Sequence, residues 1–325
     1  MGRVLVTHID SPVGRRLAKA LYHDPDVALV YGTGTGPRPS FLDAYREKCA
    51  YQRIDLAKAR HLTSFFRSER FARAQVDSVI HLPFVREQMG ERIPGNVPSL
   101  VSETRRLLEQ CQKQKGIERF VYLSSAFVYR PEPGNVNVFS EDQLLGFEAE
   151  GDYEVRAWID ADLICQGELN DPKLKMTILR ASTIVTEGGE FLQSPPLLGG
   201  APPLGFDPIL SVVADRDVAR ALVLALHSDR PGIYNIAGHE VFPCSQLRRK
   251  PQRFGPISVP RVVSATFSFL AQSVGSSRGR HRGFQRYGFV LNTRLAAEML
   301  GFEPQYRIEL RGRGPDLRVD TVRCS

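Results

Sequence analysis

The stretch from Val4 to Leu21 has residue types and a spacing that can hold the phosphates of a nucleotide. Residues 4–6 form an apolar run typical of a buried parallel strand, and residues 12–21 repeat apolar side chains at helical spacing. A loop between two such elements normally has three glycines, for a tight turn, for backbone approach to a pyrophosphate and for helix packing. Only the third is present, as Gly14. The stretch therefore predicts a dinucleotide-binding loop with an altered phosphate contact.

Two interpretations of this loop are open. Ser11 is a good N-cap residue and Pro12 a good first helical residue, so the helix can begin without a ligand. Pro12 also lacks an N–H for a phosphate, and Asp10 adds a negative charge where the diphosphate would lie. The imidazole of His8 can instead donate a hydrogen bond to phosphate. If a dinucleotide binds, we expect these loop residues to contact it: Thr7, His8, Ser11, Pro12, Val13 and Gly14.

The elements that position this loop alternate between strand and helix over the first 240 residues, which predicts an α/β fold with a doubly wound parallel sheet. Predicted strands lie at 4–6, 27–31, 51–56, 76–82, 119–124, 176–179 and 232–237. Predicted helices lie at 12–21, 99–115, 153–166, 215–227 and 293–300, the last ending at Gly301. From Arg180 onward, Pro- and Gly-rich segments such as 195–205 predict loops beside a ligand cleft.

The length and composition are those of an ordinary globular protein. With 325 residues, 42% of them hydrophobic and 24% charged, we expect a Rossmann-like domain over 1–180 and 207–240 and a smaller substrate-side domain over 181–206 and 241–325. No apolar run is long enough to span a membrane, and no secretory leader pattern follows Met1. The five cysteines are scattered without a C-x-x-C pair, so we expect no metal site and a cytoplasmic location.

Positive charge is concentrated in the C-terminal region. Residues 241–325 contain 15 Lys/Arg and 5 Asp/Glu, a net charge of +10, whereas residues 1–240 have a net charge of −3. The segment 276–289 interleaves four arginines with Phe284 and Tyr287, a composition that can hold phosphates and stack bases. Three interpretations of it are open: a solvated loop, a clamp on a nucleotide diphosphate, and a nucleic-acid contact.

Several short motifs follow one another in a recognisable order. They are Asp55-Leu56 after the third strand, Val79 to Phe84 at the fourth, Asn96-Val97 before the long helix, Leu123 to Tyr129 with the pattern S-S-x-x-V-Y, and Ile178-Leu179-Arg180. Together they resemble the extended short-chain dehydrogenase/reductase family, the NAD-dependent epimerase/dehydratase group, from residue 3 to about 305. The resemblance implies a Rossmann-type fold and a NAD or NADP cofactor.

The resemblance also implies roles for individual residues. Asp55 matches the acid that binds the adenine amine, and Ser125 matches the catalytic serine or threonine. The remaining cofactor contacts would come from Leu56, Leu82, Pro83, Asn96 and Tyr153. A homodimer would form through the helices at 99–115 and 153–166. Plainer alternatives are open, because Asp55 can cap a helix, Ser125 can satisfy local backbone groups and His81 can be a hydrogen-bonded core histidine.

The sequence departs from the family at the proton-transfer pair. The resemblance implies a tyrosine with a lysine four residues later on one helix face, where the lysine binds the nicotinamide ribose and lowers the tyrosine pKa. By order and spacing the tyrosine is Tyr153, but Ala157 stands where the lysine is expected, and none of the ten tyrosines has lysine at that distance. Arg156 is the nearby cation that can substitute, although a guanidinium does not repeat the contacts of an ammonium group.

These losses define the functional hypotheses. The first is a divergent member with weak or no redox activity that binds a dinucleotide or nucleotide as a sensor, scaffold or assembly partner. The second is an active enzyme in which Ser125, Tyr153 and Arg156 act on a sugar-nucleotide or sterol-like substrate. The third is nucleic-acid binding through the basic C-terminal region. The end of the second strand, Tyr31-Gly32-Thr33, lacks the usual acid that selects NAD over NADP.

Overall fold

The computed structural model of the chain describes residues 1–83, 97–132, 134, 137–147, 153–192, 207–247, 287–312 and 316–324, and of residues 97–99 and 153 it describes the backbone only. The predicted segments 195–205 and 276–286 and the residue Asn96 therefore lie outside the described residues, as does the side chain of Tyr153.

A central sheet of seven parallel strands organises the molecule. The strands are β1 (Gly2–Val6), β2 (Val27–Gly34), β3 (Cys49–Arg53), β4 (Ser78–His81), β5 (Arg119–Ser125), β7 (Lys175–Ala181) and β11 (Gly232–Ile236). Their order across the sheet is β11-β7-β5-β4-β1-β2-β3. Because β1 has β2 on one side and β4 on the other, the chain reverses its direction of winding at β1, and ligands of such sheets bind at the strand ends there.

Helices cover both faces of this sheet. The described helices are α1 (Pro12–His23), α2 (Ala59–Phe66), α3 (Glu69–Ala74), α4 (Val97–Lys113), α5 (Tyr153–Gln166), α6 (Asp215–His227), α7 (Cys244–Leu247) and α8 (Arg294–Leu300). Successive residues of β1 alternate between two cores: Val4 and Val6 pack with Leu17 of α1, whereas Leu5 packs in the core that contains Leu107 of α4. This alternation is what a doubly wound sheet requires, so the predicted fold class is confirmed.

Smaller sheets lie outside the central one. The remaining described strands are β6 (Val138–Phe139), β8 (Thr183–Val185), β9 (Phe191–Leu192), β10 (Ile209–Ala214), β12 (Val241–Pro243), β13 (Val290–Leu291), β14 (Tyr306–Arg311) and β15 (Arg318–Arg323). β12, β10, β8 and β9 form a four-stranded sheet, β6 pairs with β13, and β14 pairs with β15 as an antiparallel hairpin. The prediction of loops from Arg180 onward was therefore wrong at β8, β9 and β10. Their two to six residues are too short to show a clear period.

Element boundaries differ in places from those predicted. The third strand ends at Arg53 rather than at residue 56, so Asp55 lies in the turn before α2. The long helix spans Val97–Lys113 and so ends three residues before Gly116, whereas α8 ends at Gly301 with a φ of 65°, as predicted. Over the described ranges, no helix is long and apolar enough to cross a membrane. Among these same residues no cluster of three or more His, Cys, Asp or Glu side chains can hold a metal ion.

Candidate functional site

The loop between β1 and α1 is closed by its own residues. Ser11 has an extended backbone, with a φ of −69° and a ψ of 160°, and its Oγ accepts a hydrogen bond of 3.0 Å from the N–H of Gly14. Pro12 follows as the first helical residue, where its missing N–H costs nothing. The predicted helix start is confirmed, and one of the N–H groups that can bind a phosphate is already occupied.

Gly14 allows the helix to approach the loop closely. A Cβ at this position would lie 2.7 Å from the carbonyl oxygen of His8 and 2.7 Å from the Cα of Ile9. Both atoms belong to the backbone, so a side chain would force the loop and helix apart. The third glycine of the predicted loop therefore keeps its packing role.

His8 occupies the position of the first glycine in an unusual conformation. Its φ is 46°, in the left-handed region that costs a residue with a Cβ about 1 kcal/mol. The residue is only 7% exposed, and its Nε2 lies 3.3 Å from Oε2 of Glu103 on α4. The imidazole thus contacts a carboxylate of the protein, and this contact competes with the predicted hydrogen bond to a phosphate.

Below this loop, a chain of hydrogen bonds joins β1 to α4. Thr7 Oγ1 accepts from the N–H of Leu82 at 2.9 Å and lies 2.9 Å from Nδ1 of His81. His81 Nε2 lies 3.0 Å from Oγ1 of Thr104, which donates to the carbonyl of Leu100. The single hydroxyl proton of Thr104 is donated to the Leu100 carbonyl, so Thr104 can only accept a hydrogen bond from His81. The hydrogen of the neutral imidazole is therefore on Nε2, and the hydroxyl of Thr7 donates to Nδ1.

The proton arrangement around His81 matches its burial. The side chain is fully buried, and burial lowers the pKa of His81 to about 3, with the nearby His8 acting in the same direction. A neutral imidazole with both nitrogens hydrogen-bonded is a structural element of the core. The core interpretation of His81 is therefore confirmed.

Asp55, the predicted adenine contact, follows β3 at the end of the strand order. Asp55 Oδ1 accepts from the N–H of Ala57 at 3.1 Å, and Oδ2 lies 3.4 Å from Nζ of Lys58. The N-cap of α2 is Lys58, so the expectation that Asp55 caps this helix was wrong, and the carboxylate instead fixes the turn before it. The other predicted contacts Leu56, Leu82 and Pro83 are buried. A contact between Asp55 and an adenine stays a prediction.

Asp10, in the β1–α1 loop, lies beside the end of β2. A Cβ on Gly34, at the end of β2, would stand 2.7 Å from both Cγ and Oδ1 of Asp10. The carboxylate therefore lies against the end of β2. Its effect on a diphosphate at the helix start stays a prediction.

Ser125 ends β5, the strand next to β4, and is 1% exposed. Its Oγ accepts a hydrogen bond of 3.2 Å from the N–H of Phe127 and so caps the 3-10 helix Ala126–Val128. This contact favours the plainer interpretation, in which Ser125 satisfies local backbone groups. A role of Ser125 in catalysis stays a prediction.

The helix α5 contains Tyr153 and the position of the expected lysine, which is Ala157. Ala157, four residues after Tyr153, is 3% exposed. Arg156 points to the exposed face, where its Nε donates to Asp160 at 3.0 Å and its Nη1 to the carbonyl of Phe147 at 3.2 Å. Its charge is thus paired at the surface, and its role as a substitute for lysine stays a prediction.

A buried charged network, which was not predicted from the sequence, lies at the carboxyl ends of β5, β7 and β11. Arg180 donates to Asp162 Oδ1 at 2.8 Å and to Oδ2 at 3.1 Å, and both side chains are almost completely buried. Ser124 donates to the same Asp162 carboxylate at 2.5 Å. Burial acts to lower the pKa of Arg180, but the Asp162 carboxylate outweighs it and the pKa is raised. The guanidinium is therefore always charged.

Two further polar residues complete this network. Arg180 Nη1 donates to the hydroxyl of Tyr129 at 3.1 Å, and that hydroxyl donates to Asn235 Oδ1 at 2.6 Å. Burial raises the pKa of Tyr129 to about 12, so the phenol stays protonated. A signal was present in the sequence, because Asp162 and Arg180 are opposite charges within apolar segments, and a buried charge is normally paired.

Comparisons with known proteins show the fold. A scan against protein-family models gives no match, and a search of curated proteins gives none either. Among solved structures, dTDP-glucose 4,6-dehydratase from Bacillus anthracis, in complex with NAD, is 15% identical with a TM-score of 0.61, over 94% of this chain and 92% of that chain. UDP-glucuronic acid 4-epimerase from Bacillus cereus, in complex with NAD, is 18% identical with a TM-score of 0.61, over 93% and 91%.

A third structure agrees with these two. The dTDP-glucose 4,6-dehydratase DesIV from Streptomyces venezuelae, with NAD bound, is 18% identical with a TM-score of 0.62, over 93% of this chain and 92% of that chain. At such identities the likeness extends to the backbone and not to the chemistry of the site. The chain therefore has the fold of these sugar-nucleotide dehydratases and epimerases, as the order of its motifs predicted.

Proposed function

We propose that the chain binds NAD at the carboxyl edge of β1 and does not exchange protons through a tyrosine–lysine pair. Three structures of the same fold hold NAD, and in open α/β sheets a ligand binds outside the strand ends where the winding reverses. Here that place lies between the β1–α1 loop and the end of β4, which Thr7 and Leu82 join directly. The helix N-terminus at Pro12 supplies a favourable electrostatic field for an anion.

The observation that carries the proposal is that the residues at the two altered glycine positions, His8 and Ser11, both have polar partners inside the protein. The Oγ of Ser11 accepts a hydrogen bond from the N–H of Gly14, and the imidazole of His8 contacts the carboxylate of Glu103. A diphosphate has to compete with both contacts. We therefore expect binding that is weaker than in a site with three glycines, in a loop that keeps its shape without ligand.

The second part of the proposal concerns proton transfer. A tyrosine exchanges protons near neutral pH only when a nearby cation lowers its pKa. Ala157 provides no charge, and the guanidinium of Arg156 is paired with Asp160. A role in binding, as a sensor, scaffold or assembly partner, fits these contacts better than turnover does.

Calorimetric titration with NAD+, NADH, NADP+ and NADPH tests the binding part. We expect at least one of them to bind with a Kd between about 10 μM and 1 mM. His8→Gly restores the first glycine, so the variant should bind at least about fivefold more tightly. Gln75→Gly is the matched control, because Gln75 has the same φ of 46° at the end of α3.

Two results would contradict the binding part. Absence of heat up to 1 mM for all four dinucleotides would exclude NAD binding, and a wild-type Kd below about 10 μM would exclude the impaired loop. Equal tightening by His8→Gly and Gln75→Gly would mean that relief of backbone strain, and not the imidazole, controls affinity.

Incubation with NAD+ and UDP- or dTDP-sugars, followed by chromatography, tests the second part. We expect no conversion above the rate without protein. Conversion that Tyr153→Phe abolishes would overturn this part and support the active enzyme instead. Conversion that survives in Tyr153→Phe would place the chemistry on other residues.

Homodimerisation and nucleic-acid binding stay predictions. The helices α4 and α5 that would form the dimer lie side by side, and light scattering at micromolar concentration decides whether they pair with a second copy. The arginines of the segment 276–286 lie outside the described residues. A mobility-shift assay at low and high salt tests the RNA prediction.

A further inference from the structure

The end of β2 is built around a carboxylate that comes from a different element. In dinucleotide sites of this type, an acidic side chain at the end of the second strand accepts hydrogen bonds from the adenosine ribose hydroxyls. In this chain the strand ends with Gly32, Thr33 and Gly34, and it has no acid there. The carboxylate of Asp10, from the β1–α1 loop, occupies the space beside Gly34.

The glycines at this position make room for Asp10. A Cβ on Gly34 would lie 2.7 Å from Asp10 Cγ, 2.7 Å from Oδ1 and 2.8 Å from Oδ2. A Cβ on Gly36 would lie 3.8 Å from Oδ2. A residue larger than glycine at position 34 would displace the carboxylate, so Gly34 leaves the space that Asp10 occupies.

The carboxylate of Asp10 is exposed, and among the described residues it makes no hydrogen bond or ion pair with the protein. The carboxylate also acts on Tyr51 of β3. Burial, and to a smaller extent the charge of Asp10, raise the pKa of Tyr51 to about 12. A charged acceptor that faces solvent between two strand ends is free to bind hydroxyl groups.

Two arginines on this edge are hydrogen-bonded to the backbone of the protein. Arg53 donates through Nε to the carbonyl of Thr35 at 2.8 Å, and Arg38 donates to the carbonyl of Leu42 at 3.1 Å and lies 3.4 Å from Asp43. Both guanidinium groups are thus held along the segment that follows β2. A phosphate beside Asp10 would meet a carboxylate at close range, which is strongly unfavourable.

We propose that Asp10 selects NAD over NADP by accepting hydrogen bonds from the 2′- and 3′-hydroxyls of the adenosine ribose, in the place left by Gly34. This inference rests on the proposed function, because it assigns a residue to the ribose of the same dinucleotide. The acid is supplied by the loop that approaches the phosphates rather than by the second strand. Asp10 therefore acts as a determinant of specificity and not as a catalytic residue.

Titrations of wild type and Asp10→Asn with NAD+ and NADP+ test the inference, with ADP and 2′,5′-ADP as shorter probes of the adenosine half. Wild type should bind NAD+ at least about tenfold more tightly than NADP+. In Asp10→Asn we expect weaker NAD+ binding and stronger NADP+ binding, so that the ratio falls below about threefold. Asp43→Asn, which removes an exposed carboxylate of the neighbouring 3-10 helix Ser40–Tyr45, should leave the ratio unchanged.

The possible results separate this inference from the proposed function. Equal tightening of both dinucleotides in Asp10→Asn would show that Asp10 only repels the diphosphate, and the inference would fail while NAD binding stands. An unchanged ratio, or wild-type preference for NADP+, would overturn it as well. If wild type binds no probe up to 1 mM, the proposed function fails and the inference falls with it. Thermal melts of the variants exclude unfolding as the cause.

Discussion

The β1–α1 loop and the Arg180 network both lie at the carboxyl ends of parallel strands, but their polar groups are held in different ways. In the loop, the Oγ of Ser11 accepts a hydrogen bond from the N–H of Gly14, three residues away. The pair of His8 and Glu103 reaches to α4, and both residues keep a small exposed fraction of 7% and 8%. The Ser11 cap is one hydrogen bond, so its loss changes the free energy of unfolding by a modest amount.

The network at the ends of β5, β7 and β11 instead pairs opposite charges that are almost completely buried. Arg180 and Asp162 are 1% and 0% exposed, and they join β7 to α5 through two hydrogen bonds. Loss of one partner leaves the other charge without water or a counterion, which is far more costly than the loss of a cap.

This difference shows where the chain tolerates change. At the helix start a local hydrogen bond satisfies the backbone without a ligand, as the Ser11 side chain does for the N–H of Gly14. A buried pair such as Arg180 and Asp162 has no such substitute. The fold can therefore stay intact while the chemistry at its edge is altered, and the following predictions test this from the largest expected effect to the smallest.

Asp162→Ala tests the buried network. The variant leaves the Arg180 guanidinium buried and unpaired, so the free energy of unfolding should fall by about 3–5 kcal/mol. Urea denaturation followed by circular dichroism measures this. Asp160→Ala is the matched control on the same helix, because Asp160 is partly exposed and pairs with Arg156 at the surface, and its effect should stay below about 1 kcal/mol. Similar losses in the two variants would mean that the network is not the more costly region to change.

Prediction from the sequence succeeded where a regular pattern determines the structure. The strands at 119–125 and 175–181 were found because short apolar runs indicate buried parallel strands, and Ser11-Pro12 predicted the start of α1 from local chemistry alone. The hairpin formed by Tyr306–Arg311 and Arg318–Arg323 was missed, although the sequence YRIELR alternates polar and apolar residues as a half-buried strand does.

Contacts between distant residues could not be predicted. The pairing of Asp162 with Arg180 depends on how α5 packs on β7, and the approach of Asp10 to Gly34 depends on the path of the loop over β2. Neither distance follows from spacing along the chain. The left-handed backbone of His8 could not be predicted either, because a histidine in the sequence does not indicate a positive φ as a glycine does.

The pH dependence of stability tests the hydrogen-bonded chain below the loop. The pKa of His81 is about 3 in the folded protein against an ordinary value of 6.5, so the unfolded state binds the extra proton first as the pH falls. Stability should therefore be complete above pH 6.5 and fall by about 1.4 kcal/mol per pH unit between pH 6 and 4 from this residue alone. His81→Asn should remove this part of the slope, whereas His61→Gln, a change at an exposed histidine, should keep it. Equal slopes for His81→Asn and wild type in urea titrations at several pH values would refute the assignment.

Gly14→Ala tests the packing of the loop on α1. Its Cβ would lie 2.7 Å from backbone atoms of His8 and Ile9, so the free energy of unfolding should fall by about 1–3 kcal/mol despite the better helix propensity of alanine. At Gly116 the nearest atom to an added Cβ is the carbonyl oxygen of Val76 at 3.8 Å, which makes Gly116→Ala the matched control. If the two variants melt at the same temperature, the close approach at Gly14 is not required for the fold.

Ser11 gives the smallest effect and separates the two roles of the loop. Ser11→Ala removes the bond to the Gly14 N–H and should lower the free energy of unfolding by about 1 kcal/mol, whereas Ser11→Gly, a tolerated N-cap, should lower it by only a few tenths. In both variants the Gly14 N–H becomes available to a phosphate, but only glycine also lets the backbone approach the diphosphate closely. We therefore expect Ser11→Gly to bind NAD more tightly than wild type and more tightly than Ser11→Ala. Calorimetry that gives one affinity for all three proteins would show that this N–H is not the contact that weakened the loop.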